Sequence, residues 1–411
     1  MLGKLINWLE KDRNFVWAVF GAALAVRLAY ALPLPDSKIS PDAYDWMNIA
    51  WDIATGKGVS GSWRPPGWPV AMSAVFLLFG KSITAVRALN GLLGALTCVL
   101  VYRTGRRLFT DTAGRVAAVL TAFYPYLIAY GGDPLSETFL TFMIALGMFL
   151  LARAADEPSW KNIVLAGVGI GLGGLTKSVI LPFYALSGLW LWWRTGKFRH
   201  CLVLGLAAAL TILPWSLRNY FHFDKAYVMP VSTPWCSLAG SNCDEAILNE
   251  TVGSHAKDDL AAPIDQFLPK NFMEYTTSLP LPERDKYCKN LALTWIKGHP
   301  AEFRRLLRLR AVHFWRLWPM IAYKKEKLAA MATSGVYFPL ALAGLVLAFR
   351  RYRKNAALLL ALFLTYTLVH VFFATMIRYR VPIDPYVLML TGYAADRARE
   401  ALRARRSGAA A

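Results

Sequence analysis

A series of apolar runs of bilayer-spanning length constrains this chain more than any other feature. Runs of roughly 17–25 residues number about ten, and a backbone crossing lipid in such runs must satisfy its own hydrogen bonds as helix. They lie at 15–32, 82–102, 113–131, 135–153, 161–176, 178–194, 201–217, 335–349, 355–377 and 382–397. The expected fold class is an all-α polytopic membrane protein of about ten transmembrane helices, with interfacial helices in the first outer loop and a mostly helical outer segment. Composition agrees. Of 411 residues only 18% are charged while 56% are hydrophobic, and mean hydropathy is +0.36, which leaves too little polar surface to coat two or three soluble domains. The apolar content excludes a disordered chain, and five cysteines with 29 aperiodic glycines exclude a disulfide miniprotein and a collagen-like repeat.

The net charge of +20 would suggest nucleic acid in a soluble domain. Here the cations gather between apolar runs: Arg103, Arg106, Arg107 and Arg115; Arg194, Lys197 and Arg199; Arg350, Arg351, Arg353 and Lys354; and the tail from Arg397 to Arg406. Short basic loops mark the cytoplasmic side, so orientation accounts for the charge without nucleic acid. Lys4, Lys11 and Arg13 precede the first run, which therefore starts in the cytoplasm. Its end, Ala29-Tyr30-Ala31, is like a signal-peptidase site, but the many later spans favour an uncleaved anchor. An even number of spans puts both termini in the cytoplasm. Three stretches then lie outside: 33–81, a short turn near 131–136, and the long segment 221–334. The chain is expected to divide into a first transmembrane module with its outer loop over 1–220, the outer segment over 221–334, and C-terminal helices with a basic tail over 335–411.

The run from Gly167 to Gly174 echoes a dinucleotide loop, but no strand precedes it and no acidic partner follows it, so close helix contact is expected instead. Pro125, Pro182 and Pro214 suggest helices broken beside a protein-lined cavity. No repeat relates the two halves, which weakens a secondary-transporter reading.

Chemistry is expected in the first outer loop. Asp42 follows Pro41 ahead of an amphipathic stretch bearing Tyr44, Trp46, Ile49, Ala50 and Ile53. Such an acid can simply cap its helix. Alternatively, a carboxylate held at the interface can accept a proton from a nucleophile facing a lipid-borne substrate.

From Asp42 the loop runs through Trp46, Ala50, Gly56 and Gly58 to "RPPGWP" at Arg64 to Pro69. Further on come "SET" at Ser136 to Thr138, "LPWSLRNY" at Leu213 to Tyr220 and "RYRVPIDPY" at Arg378 to Tyr386. In order and spacing this pattern resembles the C-type integral-membrane glycosyltransferases, and within them the group holding lipid A aminoarabinose transferases and protein O-mannosyltransferases. The resemblance implies an inverting transfer of a sugar from a polyprenyl-phosphate donor to a lipid A, glycan, lipid or protein acceptor. It implies a bacterial inner membrane, with the site facing the periplasm.

On that resemblance Asp42 is the position matching the catalytic acid, and it is assigned as general base. The leaving phosphate gains charge in the transition state, so fixed cations should stabilise it. Arg64 leads, because it occupies a basic position that the aminoarabinose transferases fill with Lys, and it offers a bidentate fork in place of a point charge. Arg218, Arg378 and Arg380 sit where the orientation rule expects few cations, and their alternative is snorkelling toward headgroups. Lys177 is a further phosphate-binding candidate, and Arg27 a weaker one. Asp133 and Glu137 either cap a helix or complete an acidic pocket with Asp42. Tyr44 and Tyr379 are expected in the substrate pocket. His370, inside a span, reads as a hydrogen-bonded packing residue.

No His, Cys or carboxylate cluster has ligand spacing, so no cofactor or required metal is expected, and a divalent cation held with the help of Asp133 or Glu137 stays open. Cys236 and Cys243 are expected to pair by their closeness, leaving Cys288 over. The basic amphipathic stretch 301–318 should lie along the outer leaflet. Two other classes stay open: a transporter of lipid-linked sugars and a non-catalytic envelope-assembly protein.

Overall fold

The structure, a computed structural model, describes residues 11–59, 64–223, 234–243, 246, 272–318 and 324–408. Among the described residues it is helical, with no strand. The first half comprises α1 Asp12–Ala31, α2 Pro41–Ala54, α3 Gly67–Phe79, α4 Ile83–Leu108, α5 Asp111–Phe123, α6 Pro125–Ala129, α7 Ser136–Asp156, α8 Trp160–Thr176, α9 Leu181–Thr195 and α10 Phe198–His222. Next come α11 Pro234–Ser241, α12 Phe272–Ser278, α13 Leu281–Gly298, α14 Pro300–Phe314, α15 Lys324–Ala332, α16 Ser334–Arg351, α17 Arg353–Phe372, α18 Ile377–Arg380 and α19 Asp384–Gly408.

Every expected span falls on a helix, but only six are long and apolar enough to cross a membrane alone, and seven if the bent pair over 111–132 is one span. The shortfall has a physical reason. At 17 and 15 residues α8 and α9 cover less than the hydrocarbon thickness at 1.5 Å per residue, and the second half of α19 is arginine-rich.

The helix pair α5–α6 bends by 52° because Pro125 has no amide to bond Thr121 O. Arg27, buried inside α1, fills the gap. Its guanidinium donates to Thr121 O at 3.0 Å and Ala122 O at 2.9 Å. This arginine is thereby a helix-break cap rather than a phosphate ligand. Gly94 makes room for it, since a Cβ there would overlap the Arg27 side chain. The glycine run of α8 packs against α10, with Gly167 meeting Ala207 and Gly171 meeting Thr211, which is the close contact that small residues allow.

The basic clusters all meet at one end of the bundle. Asp12 pairs with Arg106 and with Arg115 at 2.7 Å, Asp156 bridges Arg107 at 3.2 Å and Arg194 at 3.1 Å, Lys354 donates to Trp193 O at 2.6 Å, and Arg351 faces Glu400 at 3.9 Å. A 20-residue α1 carries the chain about 30 Å to the other end. There the fully buried Arg87 donates to Gly132 O at 3.0 Å, Leu34 O at 2.6 Å, Pro35 O at 3.2 Å and the Asp36 carboxylate at 3.0 Å. Asn90 Nδ2 holds Asp133 O at 3.0 Å and Trp68 Nε1 holds Pro134 O at 2.9 Å. The loop after α1 and the turn before α7 are thus nailed together, chiefly by Arg87 and Asn90, which the sequence did not single out.

The disulfide joins Cys236 of α11 to Cys288 of α13, not to Cys243 as expected. Cys243 lies two residues past the end of α11, while Cys236, inside it, faces α13. The Cys236 and Cys288 Cα atoms stand 4.9 Å apart. The Cys243 thiol instead points to Gly240 O at 3.6 Å. Of the amphipathic stretch 301–318, α14 covers the first part, and Arg310 turns inward, donating to Asn242 Oδ1 at 3.2 Å and to Ser241 O. The end of α11 is fixed by that contact.

Candidate active site

At the end opposite the basic clusters, a cavity of about 370 Å³ opens between α2, α7, α9, α11 and α17. Asp42, Arg64, Glu137, Lys177, Arg378 and Tyr379 all line it, from five separate places in the chain.

Asp42 sits in the first turn of α2, whose N-cap is Ser40 and whose Pro41 fits the first helical position. It is therefore not the cap. Its carboxylate is split between two cations: Arg64 Nη2 donates to Oδ1 at 3.0 Å and Arg378 Nη2 to Oδ2 at 2.7 Å. Arg64 also reaches Asp45 at 3.0 Å, and its guanidinium lies 4.7 Å over the Trp46 ring. Trp46 is buried one helical turn from Asp42, so α2 supplies both the acid and the aromatic floor for its partner. Burial pushes the Asp42 carboxyl up, but Arg378 and Arg64 outweigh it and hold it down at about 2.

A second pair stands beside the first. Lys177 Nζ donates to Glu137 Oε1 at 3.0 Å and sits 5.1 Å over the Tyr379 ring. Glu137 is 2% exposed, and its other oxygen, Oε2, has no hydrogen-bond partner among the described residues. Tyr379 is the hinge between the pairs: its hydroxyl accepts from Arg378 at 3.3 Å, and its ring stacks on His370 at 5.3 Å. His370 bonds Tyr366 O through Nδ1 at 2.8 Å and stacks on Phe314 at 5.4 Å, so its packing role is visible even though it lines the cavity.

Four expected site residues fall elsewhere. Arg380 is two residues from Arg378, about 200° around a helix, and so turns away from the cavity. It is fully buried against Asp384 at 3.0 Å and donates to Phe314 O at 3.0 Å and to Arg316 O, which ties α18 to the end of α14. Tyr44 is likewise two residues from Asp42 and is half exposed, outside the cavity lining. Arg218 donates to Asn219 Oδ1 at 3.0 Å and to Val59 O, and lies 4.9 Å over Trp215; it secures the loop after α2 and does not line the cavity. Asp133 stands behind the site, where its carboxylate accepts the Ser40 amide at 3.2 Å and so fixes the start of α2. Burial pushes Asp133 up to about 6, against the Ser40 bond and helped by repulsion from Glu137. Among the described residues no three of His, Cys, Asp and Glu gather as metal ligands.

Arg87 and Asn90, which the sequence reading missed, hold the loops that lead into α2 and α7, the helices that carry Asp42 and Glu137. A charged and an amide residue three apart inside an apolar run, on one helix face, was the available signal.

Comparison with known proteins matches residues 63–217 to the family described as dolichyl-phosphate-mannose-protein mannosyltransferase. A Pseudomonas aeruginosa undecaprenyl phosphate-alpha-4-amino-4-deoxy-L-arabinose arabinosyl transferase is 27% identical over 233 residues, 50% of this chain and 41% of that protein. A lipopolysaccharide core galacturonosyltransferase from Rhizobium johnstonii is 26% identical over 234 residues, 54% of this chain and 46% of that protein. The chain thus spans less than half the length of these curated relatives. In structure, the oligosaccharyltransferase AglB of Archaeoglobus fulgidus, solved with an inhibitory peptide and a dolichol-phosphate, superposes with a TM-score of 0.59 at 15% identity, covering 97% of this chain and 52% of that one. By sequence over residues 63–217 the chain is similar to that mannosyltransferase family, and over nearly its whole length its fold is similar to that of the oligosaccharyltransferase AglB.

Proposed function

We propose that this multi-pass membrane protein transfers a sugar from a polyprenyl-phosphate donor to an acceptor hydroxyl or amine, with inversion at the anomeric carbon. The observation that carries the reading is the divided carboxylate of Asp42, held between Arg64 and Arg378 in the wall of a cavity that also holds Lys177 and Glu137. The donor phosphodiester carries one charge and leaves as a phosphomonoester with more, so a cluster of three cations favours the transition state over the ground state.

In the resting site Asp42 is a weak base, because both guanidiniums lean on it. A donor phosphate that takes over Arg64 and Arg378 releases the carboxylate, raises its basicity and leaves it free to take the acceptor proton. Donor binding thereby switches the base on. The free Oε2 of Glu137 is placed to accept a hydrogen bond from a sugar hydroxyl or amine or from the acceptor. The cations do the work of charge neutralisation, so transfer is expected to survive a chelator.

The basic end belongs in the cytoplasm by the orientation rule, which would put both termini inside and the cavity on the outer face of a bacterial inner membrane. The relatives' names point to lipopolysaccharide core as an acceptor and to undecaprenyl phosphate as a carrier.

The test is purified protein with radiolabelled polyprenyl-phosphate sugar and membrane acceptors. Wild type should release the free carrier phosphate and label the acceptor, whereas Asp42→Asn should transfer at least about 100-fold more slowly while remaining folded. Wild-type transfer by Asp42→Asn would remove the base assignment. Movement of intact donor across vesicles without cleavage would favour a transporter.

A further inference from the structure

A second and larger hollow, of about 910 Å³, lies at the basic end, far from the cavity described above, between α1, α4 and α7. Its rim holds five arginines and three carboxylates, a surplus of two positive charges. The carboxylates are committed: Asp12 to Arg106 and Arg115, Asp156 and Glu157 to Arg107 at 3.2 and 3.0 Å, and Glu157 also to Arg153 at 3.7 Å. Arg13 and Arg103 line the same hollow, are exposed, and make no ion pair among the described residues. The spare charge is therefore on those two side chains.

The vertical order of side chains says what kind of anion fits. On α1, Arg13 is at the rim and Val16 and Trp17 lie one turn deeper. On α7, which runs the other way, Arg153 is at the rim and Phe149 lies one turn deeper. Trp17 is 62% exposed, on the outside of a membrane-spanning helix. Cations above aromatic and aliphatic walls, at the depth where a span meets water, complement a molecule that is anionic at one end and apolar at the other.

We propose that this groove binds an anionic phospholipid, with its phosphate between Arg13 and Arg103 and its chains along Val16, Trp17 and Phe149. A soluble anion would gain nothing from the apolar lower half.

The full-length protein, purified in neutral detergent, would be titrated with phosphatidylglycerol, phosphatidylcholine or inorganic phosphate while its thermal midpoint is followed. Phosphatidylglycerol should raise the midpoint saturably. The double variant R13Q/R103Q should need at least tenfold more of it, and R403Q/R405Q, with the same charge change on the exposed tail, should behave as wild type. An R13Q/R103Q titration matching wild type, an equal response to phosphatidylcholine, or saturation by inorganic phosphate alone would overturn the proposal. A second measurement does not depend on the arginine variant: phosphatidylglycerol with brominated chains should quench more tryptophan fluorescence in wild type than in W17F, and equal quenching in the two would overturn the placement.

Discussion

Asp42 and Arg378 are separated by 336 positions in sequence and meet at 2.7 Å. Arg378 is 4% exposed, while Arg64, which holds the other Asp42 oxygen, comes from the same loop as the acid and keeps more contact with solvent. Both cations line the cavity, but Arg378 reaches it from the protein interior and Arg64 from a more solvent-accessible position.

That difference separates the two arginines experimentally. Arg64→Ala removes a partly exposed pair worth about 1 kcal/mol or less in stability, but it removes a transition-state contact worth a rate factor of about 100. Arg378→Ala strips a buried ion pair and should cost about 3–5 kcal/mol as well as activity. Melting and transfer assays on both should show activity lost without melting for Arg64 and lost with it for Arg378. Equal loss of stability and turnover in Arg64→Ala would make that residue structural.

Asp133 predicts a pH effect of definite sign. Its folded value of about 6 lies above the model-peptide 3.8, so below 3.8 both states are protonated and nothing is lost. Between 3.8 and 6 the unfolded chain gives up its proton while the folded one keeps it, and stability falls as pH rises. Above 6 the cost is complete, at up to about 3 kcal/mol. Asp133→Asn keeps an acceptor for the Ser40 amide without the charge, so it should melt higher than wild type at pH 8 and equal to it near pH 4. A difference that stays constant across that range would count against the assignment.

The Cys236–Cys288 bond closes a separation of 52 residues, and chain-entropy arguments allow it up to about 4 kcal/mol. It also holds α11, whose Ser237, Gly240 and Ser241 wall the cavity. Cys236→Ser and Cys288→Ser should each lower the melting point and weaken donor binding, with the double variant no worse than either single one. Cys243→Ser should change donor binding little. Binding of labelled polyprenyl phosphate under oxidising and reducing conditions checks the set.

Arg27→Leu should show the opposite pattern to Arg64→Ala. It leaves Thr121 O and Ala122 O unbonded at the break before Pro125, costing about 1–3 kcal/mol for each buried group left unmet. Turnover per folded molecule should stay near wild type. A turnover loss out of proportion to folded yield would place Arg27 in the chemistry after all.

The sequence by itself determined that this chain is a helical membrane protein, where its helices lie, and that Asp42 opens the amphipathic helix that follows the first span. Those properties depend on contiguous apolar length and on local pattern, which a linear reading captures. It also supplied Arg64, Glu137, Arg378 and Tyr379 as candidates, through a resemblance carried by short motifs, and Lys177 by its place after a glycine-rich helix. Which of the cations face Asp42 was decided by tertiary structure. Arg378 and Arg380 look alike in sequence, but the helical turn between them sends one to the cavity and the other to Asp384. The partner of Cys236 was decided in the same way, since a bond depends on distance in space and Cys243 is near only along the chain. Arg27 and Arg87 were settled by the carbonyls they reach, which become visible only once neighbouring helices break or end beside them.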